Sequence, residues 1–214
     1  MKPLLSTLFR FQTRNATPVS TVTVVSGLPR SGTSMMMKML AAGGMAIITD
    51  NQRGADSDNP DGYYEFERVK QLSQGDYAWL TDAEGKAVKI ISALLQHLPP
   101  DHHYQVIFMH RHMAEILASQ KKMLANRGEA ANQVSDAELA ALFENHKQKV
   151  QGWLGSQPNV TVLDVDYNQL VTTPEEQLKR LIEFVNHDLE LACMMRVIDP
   201  ALYRNRTVQP ATVI

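Results

Sequence analysis

A glycine-containing loop between an apolar segment and a helix-forming segment constrains the fold of this chain most. Residues 21–25, Thr-Val-Thr-Val-Val, are rich in β-branched side chains and predict a buried strand. Residues 35–42 favour a helix that ends at Gly43-Gly44. In a strand–loop–helix unit, backbone N–H groups converge at the helix N-terminus, where the helix dipole is positive. The sequence therefore predicts an anion site at this loop, with phosphate as the usual ligand.

The spacing within the loop follows the Walker A pattern, G-x-x-x-x-G-K-[ST], with one departure. Gly27 and Gly32 occupy the two glycine places and Ser34 the final hydroxyl place, but Thr33 stands where the lysine is expected. That lysine contacts the β- and γ-phosphates in nucleoside triphosphatases, so its absence argues against γ-phosphate chemistry. Arg30 lies inside the loop instead. A cation within the loop and two hydroxyls at its end suit a shorter anionic chain, such as a 5′-phosphosulfate.

The string at residues 27–34, Gly-Leu-Pro-Arg-Ser-Gly-Thr-Ser, resembles a known phosphosulfate loop. That loop belongs to the sulfotransferases that use 3′-phosphoadenosine 5′-phosphosulfate (PAPS) as donor. The Pro-Arg-Ser-Gly-Thr form is similar to the tyrosylprotein and bacterial carbohydrate or lipid branches, more than to the cytosolic branch. The resemblance implies that the donor is bound by Gly27, Pro29, Arg30, Ser31, Gly32, Thr33 and Ser34.

A second motif places an arginine and a serine eight residues apart, after another predicted strand. Arg111 follows the apolar segment 104–109, and Ser119 lies within the next helix. Ligands bind at the carboxyl ends of strands in open α/β sheets, so Arg111 is expected near the phosphate loop. The pair resembles the family's 3′-phosphate element, although His112-Met113 stand where Asn-Pro or Asp-Pro is common. An arginine fork with a hydroxyl is a good receptor for a terminal phosphate; a surface arginine and a helix serine are the alternative.

A weaker similarity covers residues 163–176, which resemble the family's strand-Tyr-x-x-Leu segment with a following Pro-Glu. It implies that Tyr167 approaches the nucleotide, and a purely structural tyrosine is the alternative. The resemblance as a whole spans about residues 21–186.

The base that takes the acceptor's proton is less well defined. Sulfuryl transfer needs such a base, and it needs cations that hold charge on the leaving phosphate, for which Arg30 is a candidate. In the cytosolic branch a histidine follows the lysine that ends the third strand; Lys89 matches that lysine, but Ile91 stands in place of the histidine. The tyrosylprotein branch uses a glutamate past the second strand, near Asp50. Glu65 lies in a segment that resembles the Asn-Pro-x-Gly-Tyr-x-Glu of bacterial members. A strand-end cap for Asp50 and a solvated helix start for Glu65 are the structural alternatives.

Strands alternate with helices at near-regular spacing along the chain. This predicts an α/β fold of the P-loop type, with a central parallel sheet of about five strands flanked by helices. We expect a lead-in over residues 1–20, without assigned chemistry, and a single domain over residues 21–214. The predicted strands are 21–25, 45–49, 87–91, 104–109 and 160–165, and the predicted helices are 35–42, 63–74, 92–98, 113–124, 135–153 and one from 173.

Composition excludes several classes of function. A net charge of −2 gives no general attraction to nucleic acid, and no stretch is long and apolar enough to span a bilayer. The single cysteine, Cys193, excludes an internal disulfide framework and a cysteine metal cluster. The pairs His102-His103 and His110-x-His112 lack a third ligand of suitable spacing, so no metal is expected. No signal peptide is recognised, and we expect a cytoplasmic enzyme.

The resemblance implies a sulfotransferase that moves a sulfuryl group from PAPS to a hydroxyl or amine and releases adenosine 3′,5′-bisphosphate (PAP), without a metal. A P-loop kinase and a catalytically silent nucleotide-binding or interaction protein are the alternatives. Arg204 and Arg206 in the tail either close over the nucleotide or are solvated charges. The sequence does not identify the acceptor, because variable loops build acceptor pockets.

Overall fold

The computed structural model describes residues 21–56, 59, 62–128 and 134–199 of the 214-residue chain. The lead-in predicted for residues 1–20 lies outside the described residues, as do Arg204 and Arg206. The division into this lead-in and one domain over residues 21–214 therefore stays a prediction.

Five parallel strands form one sheet in the order β2-β3-β1-β4-β5, which places β1 in the centre. The helices lie between and after the strands, as the predicted α/β fold with a central parallel sheet of about five strands requires, and that prediction is confirmed. The strands are β1 (Thr21–Gly27), β2 (Ile47–Ile48), β3 (Ala87–Lys89), β4 (His103–His110) and β5 (Val160–Asp166). The α-helices of the described residues are α1 (Thr33–Ala42), α2 (Met113–Asn126), α3 (Asp136–Ser156), α4 (Tyr167–Thr172), α5 (Pro174–Val185) and α6 (Leu191–Met195), and the 3-10 helices are Glu67–Gln74, Thr81–Ala83 and Ser92–His97.

Helices cover both faces of the sheet. Val22 and Val24 of β1 belong to one buried cluster, with residues of the 3-10 helices and α3, whereas Val25 belongs to a second cluster with α1, α5 and α6. This alternation follows from the side-chain period of two in a strand. Parallel strands that are buried on both faces favour near-continuous apolar runs, and β4 supplies one at residues 106–109.

The helix predicted over residues 63–74 is wrong in its first turn. Residues 62–66 carry no helix, and a 3-10 helix begins only at Glu67. The backbone carbonyl of Glu65 accepts hydrogen bonds from the Asp50 N–H at 3.2 Å and from the Thr49 hydroxyl at 3.0 Å. These bonds hold the segment against the end of β2, so its carbonyl is not used in a helix.

The loops that follow the carboxyl ends of the strands meet at one edge of the sheet, because all five strands are parallel. The loop after β1, Lys89 at the end of β3, Arg111 after β4 and Tyr167 after β5 all lie at this edge. Tyr167 begins α4, which the sequence analysis did not predict, and the Asp166 carboxylate caps this helix by accepting from Gln169 N–H at 2.9 Å. Across the described part of the chain, we find no helix with the length and apolar character needed to cross a membrane.

Candidate active site

A cavity of about 750 Å³ opens at this edge of the sheet. Its wall is formed by the loop after β1, the end of β3, and parts of α2, α3 and α4. The structure therefore brings most of the residues singled out in the sequence to one place. Those that line the cavity are Gly27, Pro29, Arg30, Gly32, Thr33, Ser34, Glu65, Lys89, Arg111, Ser119 and Tyr167.

The loop after β1 ends at the N-terminus of α1. This helix begins at Thr33, so the first-turn N–H groups, which have no intrahelical acceptor, lie beside the cavity. Gly32 and Arg30 both adopt left-handed backbone conformations, with φ of 98° and 68°. Ser31 is buried and does not line the cavity, and its N–H donates to the Leu28 carbonyl at 3.2 Å. The anion site itself stays a prediction, and among its expected residues Ser31 does not face the cavity.

Both glycines of the loop are required by close contacts. A Cβ atom on Gly27 would lie 2.6 Å from the backbone oxygen of Met109, and one on Gly32 would lie 2.4 Å from Cδ2 of Tyr167. Real Cβ atoms do not approach other atoms so closely. The loop can therefore pack against β4 and α4 only because these positions lack side chains.

Arg30, Arg111 and Ser119 are joined directly. The Nε of Arg30 donates to the Ser119 hydroxyl at 2.9 Å, and Nη1 of Arg111 donates to the Arg30 carbonyl at 3.2 Å. The Arg111 guanidinium also lies over the Tyr167 ring, 4.3 Å from its centre. The two predicted anion-binding motifs, 81 residues apart in the chain, thus form one hydrogen-bonded unit.

Glu115 holds Arg111 in place and was missed by the sequence analysis. Its side chain is 1% exposed, and it accepts from Nε of Arg111 at 2.9 Å. The Asn168 amide donates to its other oxygen at 3.0 Å, which ties α2 to α4. Arg111 lies two residues before α2 and Glu115 lies in its first turn, and this four-residue separation is a sequence signal that could have identified the partner.

Lys89 links the end of β3 to the start of α1. Its Nζ donates to the Tyr63 carbonyl at 2.7 Å and to the Ser34 hydroxyl at 3.2 Å, and lies 3.8 Å from a Glu65 oxygen. Burial lowers the pKa of Lys89 to about 8, although the Glu65 carboxylate partly opposes the shift. Arg53 and Arg30 add to the lowering through their charges. Near neutral pH the Lys89 side chain is therefore mostly a charged ammonium, and it loses this charge as the pH rises through about 8.

The two candidate bases lie in different surroundings. Glu65 lines the cavity, and one of its oxygens accepts from Nη1 of Arg53 at 3.2 Å. Asp50 is not among the lining residues. Its carboxylate accepts from the backbone N–H groups of Glu67 at 2.6 Å and Gln52 at 3.0 Å, and these bonds lower its pKa. This arrangement is a strand-end cap, the structural alternative for Asp50.

Positive charge is concentrated in the cavity, although the whole chain carries a net charge of −2. Six cationic side chains and two carboxylates are among the described residues that line it. A low-dielectric cleft lined mainly by one sign of charge attracts ligands of the opposite sign. The cations are Arg30, Arg53, Lys89, Arg111, Lys122 and Arg127, and the carboxylates are Glu65 and Asp199.

Residues 63–190 match the family model described as "Sulfotransferase family". The chain belongs to the sulfotransferase family. Family membership confirms the prediction of a sulfotransferase enzyme, while the branch within the family stays a prediction. No curated protein shows significant sequence similarity to the chain.

Two solved structures show the same fold as this sulfotransferase. The sulfotransferase domain of the Synechococcus PCC 7002 olefin synthase is 16% identical, with a TM-score of 0.52, and the match covers 95% of this chain and 89% of that one. A mouse sulfotransferase complexed with PAP is 12% identical, with a TM-score of 0.50, and the match covers 90% of this chain and 68% of that one. At these identities the likeness concerns the fold.

Arg53 and His146 are among the polar groups that line the cavity of this sulfotransferase and were not singled out from the sequence. The Arg53 guanidinium lies 3.4 Å from the centre of the Tyr63 ring. His146, from the middle of α3, has its Nε2 atom 2.8 Å from the Ser92 hydroxyl. Arg53 is 10 residues from Tyr63 in the chain, and His146 is 54 residues from Ser92. Neither separation matches the local spacing of a helix or strand contact, so the sequence alone does not predict these pairs.

The histidines considered as metal ligands do not gather at one point. His102 lies near Glu84, His110 bonds to Asp164, and His112 lies near Glu115. Within residues 21–56, 59, 62–128 and 134–199, no group of three or more His, Cys, Asp or Glu side chains is arranged to hold a metal ion.

Proposed function

We propose that this sulfotransferase transfers a sulfuryl group from PAPS to a hydroxyl or amine acceptor and releases PAP. The observation that carries the proposal is the direct bonding of the phosphate loop to the Arg111–Ser119 pair through Arg30. PAPS carries anionic groups at both its 5′ and 3′ positions. A donor of this kind needs two anion sites that are held at a fixed separation, and the hydrogen bonds of Arg30 supply that connection.

The roles at the donor follow from these positions. The N-terminus of α1 and the Arg30 guanidinium would hold the 5′-phosphosulfate, since both present positive charge to the same part of the cavity. Arg111 and Ser119 would hold the 3′-phosphate, with Glu115 fixing the direction of the guanidinium. The Tyr167 ring, packed between Gly32 and Arg111, would lie beside the nucleotide.

The transfer step uses Glu65 and Lys89. The acceptor oxygen or nitrogen attacks the sulfur atom while its proton passes to the Glu65 carboxylate. The bond between sulfur and the bridging oxygen of the 5′-phosphate breaks, and its electron pair stays on that oxygen. The Lys89 ammonium and the first-turn N–H groups of α1 offset the charge that develops there. In this scheme the protein's own cations stabilise the leaving group, and no metal ion takes part.

Three expectations about the whole protein belong with this proposal. We propose that residues 21–214 act as a single catalytic domain, because the cavity draws on residues from Gly27 to Asp199. The cytoplasmic location and the lack of nucleic-acid partners stay predictions from the sequence.

Turnover of PAPS tests the proposal. The protein is incubated with PAPS and a panel of alcohols, phenols and amines, and PAP is measured by ion-pair chromatography while sulfated products are identified by mass spectrometry. We expect PAP and a sulfated product to form in equal amounts with at least one acceptor, and Glu65→Gln to remove turnover without removing PAP binding. PAP binding without product for any acceptor would instead indicate a silent nucleotide-binding protein. Magnesium-dependent consumption of ATP would indicate a kinase.

A further inference from the structure

The order of the strands divides the cavity into two sides. The β1 loop lies in the centre, with β3 on one side of it and β4 and β5 on the other. Arg111 and Tyr167, the residues proposed to contact the nucleotide, follow β4 and β5. The side next to β3, beyond Lys89, therefore remains for the second substrate.

An uncharged wall lines the cavity on the β3 side. It is formed by two elements: the start of the 3-10 helix Ser92–His97, with the residues just before it, and α3, which packs against that helix. None of its cavity-lining side chains carries a formal charge when the histidine is neutral. We call this surface the α3 wall, and its residues are Ile90, Ile91, Ser92, Ala93, Leu142, Phe143 and His146.

Two large apolar side chains of the α3 wall are unusually exposed. Ile91 is 54% exposed and Leu142 is 58% exposed, and both line the cavity. Leu142 and Phe143 lie four and three residues before His146, so all three share one face of α3. The same face continues inward as Val150 and Leu154, which are buried in the core. Exposed apolar area at the mouth of a cleft is an established feature of surfaces that are covered by a ligand.

One polar group interrupts this apolar surface. The Ser92 hydroxyl, in a residue that is 4% exposed, lies 2.8 Å from Nε2 of His146 and fixes the direction of the ring. In the tautomer with its proton on Nε2, the ring donates to Ser92, and Nδ1 can accept a hydrogen bond from a ligand hydroxyl. Ser92 follows Lys89 by three residues, so this polar group lies close to the sulfuryl-transfer residues.

We propose that the α3 wall is the acceptor subsite, and that it takes an uncharged alcohol or phenol with an apolar body whose hydroxyl is bound by His146. The inference rests on the proposed transfer reaction, because it assigns the second substrate of that reaction. The apolar body covers Ile91 and Leu142, and His146 orients the hydroxyl while Glu65 takes its proton. A charged group placed against the α3 wall itself would lose hydration without gaining an opposite charge, because the cations and carboxylates of the cavity lie outside this wall.

Three phenols of similar size distinguish the acceptor classes. The probes are 4-ethylphenol, which is neutral, tyramine, which is a cation, and 4-hydroxyphenylacetate, which is an anion. Each is titrated calorimetrically into the PAP-saturated protein, and each is then used as acceptor with PAPS. We expect 4-ethylphenol to bind most tightly and to have the highest kcat/KM. Preference for either charged phenol, or no binding of 4-ethylphenol up to its solubility limit, would overturn the proposed class.

Substitutions locate the subsite. Leu142→Asp places a charge on the α3 wall at an exposed position where folding should tolerate it, and we expect binding of 4-ethylphenol to weaken about tenfold or more. His146→Gln should raise KM for 4-ethylphenol with a smaller effect on kcat, because the residue binds the hydroxyl and does not take its proton. Val134→Asp, at another exposed apolar residue that does not line this cavity, is the matched control.

Unchanged binding and KM in both variants would overturn the location. A loss of kcat without a change in KM in His146→Gln would overturn the assignment of His146 as the hydroxyl-binding group. PAP affinity measured on the same proteins distinguishes a failure of the acceptor subsite from a failure of the proposed PAPS-dependent function. Failure of the wild-type protein to bind PAP contradicts the proposed function itself, and the subsite then falls with it.

Discussion

The pair formed by Arg111 and Glu115 should respond to substitution as a coupled unit. The two side chains are 9% and 1% exposed and lie 2.9 Å apart. Removing one member of a buried ion pair leaves the other charge uncompensated, which typically costs about 3–5 kcal/mol. Arg111 keeps some access to the cavity, so we expect Arg111→Met and Glu115→Met each to lower the free energy of unfolding by about 3 kcal/mol, the lower end of that range.

The double variant should be less destabilised than the two single variants together. It has no uncompensated charge, and its main defect is the amide of Asn168, which loses the acceptor that it had in Glu115. An unsatisfied buried donor costs about 1–3 kcal/mol, so we expect a loss of about 2 kcal/mol in the double variant. The coupling free energy between the two sites is then about 4 kcal/mol.

Urea unfolding of the four proteins measures this coupling, provided that the slopes agree and that two spectroscopic probes give the same transition. Arg68→Met is the control, since Arg68 pairs with Asp76 at the surface and its loss should change little. Losses that add within about 0.5 kcal/mol would show that the pair is not a buried unit, and the argument that Glu115 positions Arg111 would then be refuted.

Three further predictions concern the phosphate loop and its neighbours. PAP affinity should fall as the pH rises through about 8, because Lys89, whose pKa is lowered to about 8, loses its positive charge there, whereas the phosphates, with pKa values near 6, are already ionised. In Lys89→Met, PAP binding should be weaker and this fall in affinity should be absent, as measured by calorimetric titration between about pH 7 and about pH 10. A fall that persists in the variant would contradict the assignment of the pH dependence to Lys89. Gly32→Ala places a Cβ 2.4 Å from the Tyr167 ring at a positive φ, so thermal and urea unfolding should show a loss of about 2 kcal/mol or more, with Gly54→Ala, which meets no atom within 4 Å, as the unaffected control. Glu65→Gln should lower kcat by at least about a hundredfold with an almost unchanged Kd for PAP; a variant that keeps wild-type kcat would exclude Glu65 as the base.

The sheet and the phosphate loop were predictable because their signals are local. The β-branched run of β1 and the two glycines at Walker A spacing lie next to each other in the sequence. The run predicts a buried strand, and the glycines predict an anion-binding loop. Arg111 and Ser119 could be placed near the loop because carboxyl ends of parallel strands share one edge. The hydrogen bond of Arg30 to Ser119 then follows from the packing of α2 against the loop, which the sequence does not encode locally.

The remaining parts of the site depend on tertiary contacts. His146 meets Ser92 only because α3 packs on a 3-10 helix 54 residues earlier in the chain, and helical periodicity gives no hint of this partner. The first turn expected at Tyr63 is absent because the Glu65 carbonyl bonds to the end of β2, a competition that local propensity does not include. Asp50 shows the same limit, because its sequence position does not reveal that its oxygens accept from two backbone N–H groups, and its role as the base stays a prediction.

Calorimetric titration with PAP, compared with ATP in the presence of magnesium, tests the central claim of a PAPS-binding sulfotransferase most directly. The titrations are made on the wild type and on Arg111→Ala, with circular dichroism to show that both are folded at the chosen temperature. We predict tight PAP binding, little ATP binding, and a loss of PAP affinity of about ten- to a hundredfold in the variant, since a charge-assisted hydrogen bond contributes about 1.5–3 kcal/mol. Preference for ATP with magnesium, or PAP binding that is indifferent to Arg111, would contradict the account.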